Sequence, residues 1–381
     1  MSTVRVDVAP DVLRWARRVG FPEQVPKEFA RIDEWIARDA KPTLKQLTAL
    51  ADKTGIPFGY FLRQQPPPWK LSINDFRDGF DGAAAEPSAD LMAVIRQSQQ
   101  RQEWYRDFAE RTGLARVEVV GTAAEWSAEQ TAQHMTDMLD VAVHKRTGTW
   151  NDTRKTLLRN FEALGGLTVA TSMVDNNNHR MLDPAEFRGF CLMDDLAPLV
   201  FVNTNQTLNG QIFTLAHELA HVWRGTSGIG NEDPRREPQR KIEKWCSSVA
   251  SLLLVPRFDL TKAWPQVSSQ SLPQALDALA RRYKCGTLVV LQALRRYGVA
   301  EFVDFDAAYA AEETRIKDLA KSGASGGTHY TNLPYRVGDR LSRALIADTL
   351  EGGTSYSEAM RLMSMKSAVT FDRYAKTLGV M

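Results

Sequence analysis

The sequence is poor in the features that would announce several common protein classes. It has only three cysteines, Cys191, Cys246 and Cys285, an odd and widely spaced set that makes neither a disulfide framework nor a C-x-x-C metal knuckle. A reducing compartment is the simplest expectation. Its apolar runs, such as Leu252 to Val255 and Thr287 to Leu291, fall far short of the ~20 residues needed to cross a bilayer. The opening stretch, MSTVRVDVAPDVLRWARR, carries charges through its apolar part, so it does not read as a signal peptide. The expectation is a cytoplasmic protein with no membrane partner. The formal net charge is only +2, so no overall basic excess points to nucleic acid.

What is present is ordinary for a globular chain: 381 residues, 43% hydrophobic and 25% charged, enough to bury a core without staples and to fill two or three domains. Residues 1–63 read as a compact helical module. Val12, Leu13, Ala16 and Val19 fall at helical spacing before Gly20, and Leu44, Leu47, Leu50 and Ala51 form a second stripe between a Thr43 N-cap and Gly55. The proline run Gln64 to Trp69 reads as a stiff linker, and Gly79 to Pro87 as a loop. Within 64–148, helices are expected over 90–113 and 128–147. After Gly165-Gly166, three β-rich runs follow: Leu167 to Val174, Phe187 to Met193 and Pro198 to Asn203, separated by turn residues. Helices are expected over 206–223, 238–254, 272–282 and 287–296. A flexible stretch from Lys321 to Thr328 precedes tail helices near 336–351 and 355–379, with a turn near Ser364. The fold class expected is α+β: mainly helical, with a small antiparallel or mixed sheet over 149–300, and helical regions at 1–63 and 301–381.

The segment His217-Glu218-Leu219-Ala220-His221 carries the chemistry. Four helical residues advance ~400°, so the two imidazoles lie on one face a turn apart and can reach one metal ion. Glu218, between them, is placed to take the proton of a water activated by that ion. Ile212, Phe213, Leu215, Ala216, Leu219, Ala220 and Val222 make the segment apolar nearly all round, hence a buried helix. A Glu beside two buried histidines is costly without a metal.

A catalytic zinc site commonly has three protein ligands. Glu243 is the choice for the third. It lies 22 positions after His221 (243 minus 221), on a helical face with Cys246, Ser247, Ala250 and Leu254. A carboxylate on that stripe needs a partner, and a metal supplies one. The alternatives are a helix-boundary Glu in solvent, or another ligand among Glu232, Asp233, Glu237 and Cys246. The strand runs before the metal helix offer an edge on which an extended substrate could pair. His179 and Arg180 are candidates for stabilising an oxyanion. His134, His144 and His329 read as structural or exposed.

On these residues, TLAHELAHVWRG followed by IEKWCSSVASLLLVP resembles the ImmA/IrrE metallopeptidases. The upstream NNNHRMLDPAEFRGFCLMDDLAPLVFVNT is similar to the longer, phage- and island-associated branch of that family. The resemblance covers about residues 150–300. It implies a Zn2+ endopeptidase that cleaves a helix-turn-helix transcriptional repressor and thereby derepresses stress-response or mobile-element genes. It also implies His217, His221 and Glu243 as zinc ligands and Glu218 as the catalytic base. Many members carry Glu-Ala-Asn in the second helix, where this chain has Trp245, Cys246 and Ser247. PTLKQLTALADKTGIPFGYF resembles the last helices of a Cro/repressor-type helix-turn-helix, with a chain several residues shorter between Gly20 and Trp35. Over residues 1–63 there are 11 Lys/Arg against 8 Asp/Glu, less dense than tight phosphate binding wants. A docking or sensing module is therefore preferred to DNA binding. The alternative functions are a non-catalytic anti-repressor and a DNA-binding regulator.

Overall fold

The computed structural model describes residues 4–21, 24–75, 77, 86–230, 241–321 and 336–380. Glu232, Asp233, Glu237, His329, most of the Gly79–Pro87 loop and the stretch after Lys321 lie outside these residues. The chain divides into two compact units: Met1–Ser72 with Gly79–Gln97 and Met173–Leu182, and Ile73–Asp78 with Ser98–Ser172 and Asp183–Met381.

The first unit is helical. Pro10 opens α1 (Pro10–Gly20), a position where its missing N–H costs nothing. Thr43 and Gln46 close a reciprocal capping box on α3 (Leu44–Thr54), and Gly55 ends it with a left-handed φ of 68°. Between them stand one 3-10 turn, Lys27–Phe29, and the six-residue α2 (Ile32–Ala37). Val12, Leu13, Ile32, Trp35, Leu47, Leu50 and Phe61 make the core. Trp15 sets its ring edge-on to Trp69 at 5.0 Å.

The second unit holds a four-stranded mixed sheet in the order β1-β3-β2-β4: Leu167–Thr171, Leu199–Asn203, Gly189–Leu192 and Gly228–Gly230. β1 runs parallel to β3, and β2 is antiparallel to both β3 and β4. In this register Gly189 faces Val202 and Cys191 faces Val200. Cys191, Val200 and Val202 therefore share one side of the sheet and join the core formed with α7 (Leu208–Arg224). Phe190 and Phe201 point to the other side and stack at 4.6 Å.

Flanking helices complete the unit: α4 (Ala89–Thr112), which enters it at Ser98, α5 (Ala128–Met138), α6 (Trp150–Ala163), α8 (Lys241–Leu254), α9 (Arg257–Ala263), α10 (Leu272–Tyr283), α11 (Thr287–Arg296) and α12 (Phe305–Lys321). The class is α+β, as expected. The helix expected over 128–147 stops at Met138, because Asp140 turns left-handed with φ 51°. The turn lets the Arg146 side chain go inward, where it donates to the carbonyls of Val141, Leu253, Leu254 and Tyr283. The helical stretch expected over 355–379 divides at the turn expected near Ser364, where φ is 52°. Its helices are α14 (Tyr356–Leu362) and α15 (Ala368–Thr377), preceded by α13 (Asp339–Leu350).

The tail is held to the rest of the unit by polar contacts. Glu162 Oε1 accepts from Thr168 Oγ1 at 2.6 Å and from the Asp339 amide at 3.1 Å. Arg101 donates to the Leu362 carbonyl, and Trp104 to Thr354 Oγ1. Burial pushes the Glu162 carboxyl up to about 7. Among the described residues no helix is long and apolar enough to cross a membrane.

Candidate metal centre

α7 carries the H-E-x-x-H segment through the middle of the second unit. Thr207 caps its start by accepting from the Gly210 amide, and Gly225 ends it in the left-handed region with φ 77°. Every residue from Thr214 to Trp223 is buried, so both faces of the helix are covered, α7 packing on β2, β3, α6 and α8. The four polar side chains at issue are nearly inaccessible: His217 and His221 at 2%, Glu218 at 3% and Glu243 at 4% exposure.

The helical repeat places the two rings as the spacing requires. Nε2 of His217 and Nε2 of His221 lie 3.1 Å apart. α8 crosses beside α7 and delivers Glu243 from its first turn. One Glu243 oxygen lies 3.2 Å from His217 Nε2 and the other 3.2 Å from His221 Nε2. Three donors thus converge on one point. An ion with bonds of ~2.0 Å holds tetrahedral ligands about 3.3 Å apart, which these separations match. Hydrogen bonds alone fit less well: if each imidazole places its Nε2 proton toward the carboxylate, two N–H groups face each other at 3.1 Å. A cation resolves that conflict, so the donor set fits a metal.

Burial pushes the Glu243 carboxyl up, but the hydrogen bonds and charges of His217 and His221 outweigh it and hold the group below the usual carboxylate range. Cys246, a turn later on α8, is a second contender. Its Sγ and one nitrogen of each imidazole lie within 4.8 Å of one another. The Glu243 separations match a common first shell of ~2 Å radius, whereas 4.8 Å is only an outer limit for the set with Cys246. Trp245 points elsewhere, donating to the Trp126 carbonyl, with Arg224 over its ring at 5.0 Å.

Around this set, the turn after α7 folds back. The Thr226 amide donates to the His221 carbonyl, and Thr226 Oγ1 lies 3.3 Å from His221 Nδ1. That contact leaves Nε2 facing the other donors. Across from the helix, the Cys191 thiol donates to the Thr226 carbonyl at 3.3 Å. Burial, then the charge of Glu218, pushes this thiol well above its ordinary value, so it stays neutral beside the carboxylates.

The other sequence candidates fall outside this cluster. His179 and Arg180 belong to the first unit, where Arg180 pairs with Asp90 at 2.6 Å and the His179 amide donates to Asn177 Oδ1. His134 accepts from Trp223 Nε1 at 2.9 Å and packs edge-on against Trp126, a structural role. Thr226 was not singled out by sequence reasoning; a Thr one residue past a helix-ending Gly carries no signal of its own.

Residues 162–295 match the Peptidase_M78 family model, described as an IrrE N-terminal-like domain. Residues 337–377 match a domain of unknown function, DUF8813. No curated protein matches the chain.

Proposed function

We propose that the protein, whose residues 162–295 match the Peptidase_M78 family model, is a zinc-dependent endopeptidase of the ImmA/IrrE kind acting on a helix-turn-helix transcriptional repressor, whose loss derepresses stress-response or mobile-element genes. One observation carries the enzymatic part: two imidazole nitrogens and the oxygens of Glu243 lie 3.1–3.2 Å apart around a single point, with Glu218 on the same helix.

His217, His221 and Glu243 hold the ion, and their mixed nitrogen and oxygen donors suit zinc. Bound there, zinc supplies Lewis acidity that eases deprotonation of water and polarises a peptide carbonyl. Glu218 takes the proton of the attacking water and passes it to the leaving amine. Its carboxyl lies beside Gly189 of β2 and next to the neutral Cys191 thiol. Residues 1–63 act as a docking or sensing module. The repressor as substrate follows from the family resemblance and not from the geometry.

The test is co-expression of the full chain with a candidate helix-turn-helix repressor, wild type against Glu218→Gln, with fragments read by mass spectrometry. The proposal expects discrete fragments with wild type and a rate ~10²–10⁴-fold lower in the variant, with zinc retained. Derepression without any fragment would instead make the protein a sequestering anti-repressor.

A further inference from the structure

Cys246 follows Glu243 by three residues on α8, so the two share a helical face, and both are buried. The Cys246 Sγ and one nitrogen each of His217 and His221 fall within 4.8 Å of one another. Among the described residues no other thiol stands in such a group. A thiol beside two imidazoles is a donor set of its own, and it shares both imidazoles with the set that includes Glu243. An ion bonded at ~2.3 Å to sulfur and ~2.0 Å to nitrogen sets those atoms about 3.5 Å apart. The 4.8 Å limit admits that arrangement after a sulfur shift of at most about 1.3 Å.

The two sets suit different ions. For zinc, Glu243 stands at first-shell separation from both imidazoles without any movement. A soft ion ranks thiolate sulfur above carboxylate oxygen, and that preference offsets the shift and the loss of the thiol proton. The exchange balances simply. The Cys246 proton goes to solvent, a sulfur–metal bond forms, and the zinc bonds to His217, His221 and Glu243 break. No electron is transferred. Because the imidazoles are common to both sets, occupation is exclusive, and one soft ion in means one zinc out.

We propose that His217, His221 and Cys246 form a second metal site, overlapping the zinc site and selective for a soft, thiophilic ion, whose occupation expels zinc. The site stands on the donor geometry above. Only its consequence, that a soft ion switches hydrolysis off by removing zinc, rests on the peptidase reading.

The experiment titrates the full, reduced, zinc-loaded chain with Cd2+ alone. A zinc-sensitive dye follows release, and the ultraviolet sulfur-to-cadmium charge-transfer band follows the thiolate. In wild type the band should rise in step with zinc release. Cys246→Ser and Cys246→Ala should lose the band and weaken cadmium by more than about 100-fold, while zinc affinity stays within a few-fold and serves as the folding control. Glu243→Gln should show the reverse, losing zinc and keeping both the band and cadmium affinity within a few-fold. Cys191→Ser should keep the band. A band that survives in Cys246→Ser or vanishes in Cys191→Ser, or cadmium bound with no zinc released, would overturn the proposal. Should the Cys246 variants fail to fold, Glu243→Gln decides alone: cadmium weakened as much as zinc is also fatal. A wild-type chain that holds cadmium through Cys246 but never holds zinc would sink the zinc peptidase reading and leave this site standing.

Discussion

Gly189 and Glu218 meet with no room for a side chain between them. A Cβ on Gly189 would stand 2.9 Å from Glu218 Oε1, 2.6 Å from Thr214 Cγ2 and 2.9 Å from the Phe201 carbonyl oxygen. The strand and the metal helix can lie this close only because β2 has a glycine there. Gly189→Ala should therefore cost about 1–3 kcal/mol in chemical denaturation. It should also lower hydrolysis beyond what the lost folded fraction explains, since Glu218 must move. Retained hydrolysis at wild-type stability would show that the sheet yields at no cost.

The two contenders for the third ligand separate cleanly by substitution. Glu243→Gln should weaken zinc by more than the ~10–100-fold typical of losing a supporting partner, whereas Cys246→Ala should leave it within a few-fold. Competition against a chromophoric chelator measures both. In the cobalt-substituted protein, a sulfur-to-metal charge-transfer band that disappears in Cys246→Ala would reverse the assignment.

Glu162 predicts a pH dependence. Burial raises its folded-state value from 4.5 to about 7, so folding favours the protonated form. Its stabilising contribution is complete below the unfolded value and is lost as pH climbs through the folded one. Thermal stability should therefore fall by about 2–3 kcal/mol between pH 4.5 and 7 from this group. Glu162→Gln, which keeps an oxygen for Thr168 and the Asp339 amide, should flatten that slope. Calorimetry across the window decides it.

Arg146 satisfies four carbonyls that would otherwise be buried without donors, two of them at the end of α8. Arg146→Met should destabilise the unit by about 2–4 kcal/mol in denaturant titration. A neutral result would mean that water replaces the guanidinium.

The strongly patterned parts of this fold were legible in the sequence. α7, read as 206–223, spans Leu208–Arg224, because its apolar surround and terminal glycine are local signals. α11 spans Thr287–Arg296 as read, and the three apolar strand runs each contain a strand. β4 was not legible: Gly228-Ile229-Gly230 lacks strand propensity and is a strand through its pairing with other segments, β2 above all. Nor was the Asp140 break, where the chain turns left-handed with no glycine to announce it. At the site, the i, i+4 spacing of His217 and His221 dictated their approach. The approach of Glu243 depends on how α8 crosses α7, which periodicity alone leaves open.

The pairing between Asn74 and Ser227 joins residues 153 positions apart. During synthesis from the N-terminus, Asn74 has left the ribosome long before the glycine-rich edge emerges. In the folded unit that edge is paired, which leaves fewer open backbone groups to other chains. The same few hydrogen bonds thus cover the edge of a strand whose two glycines, Gly228 and Gly230, bring no side chain to shield it.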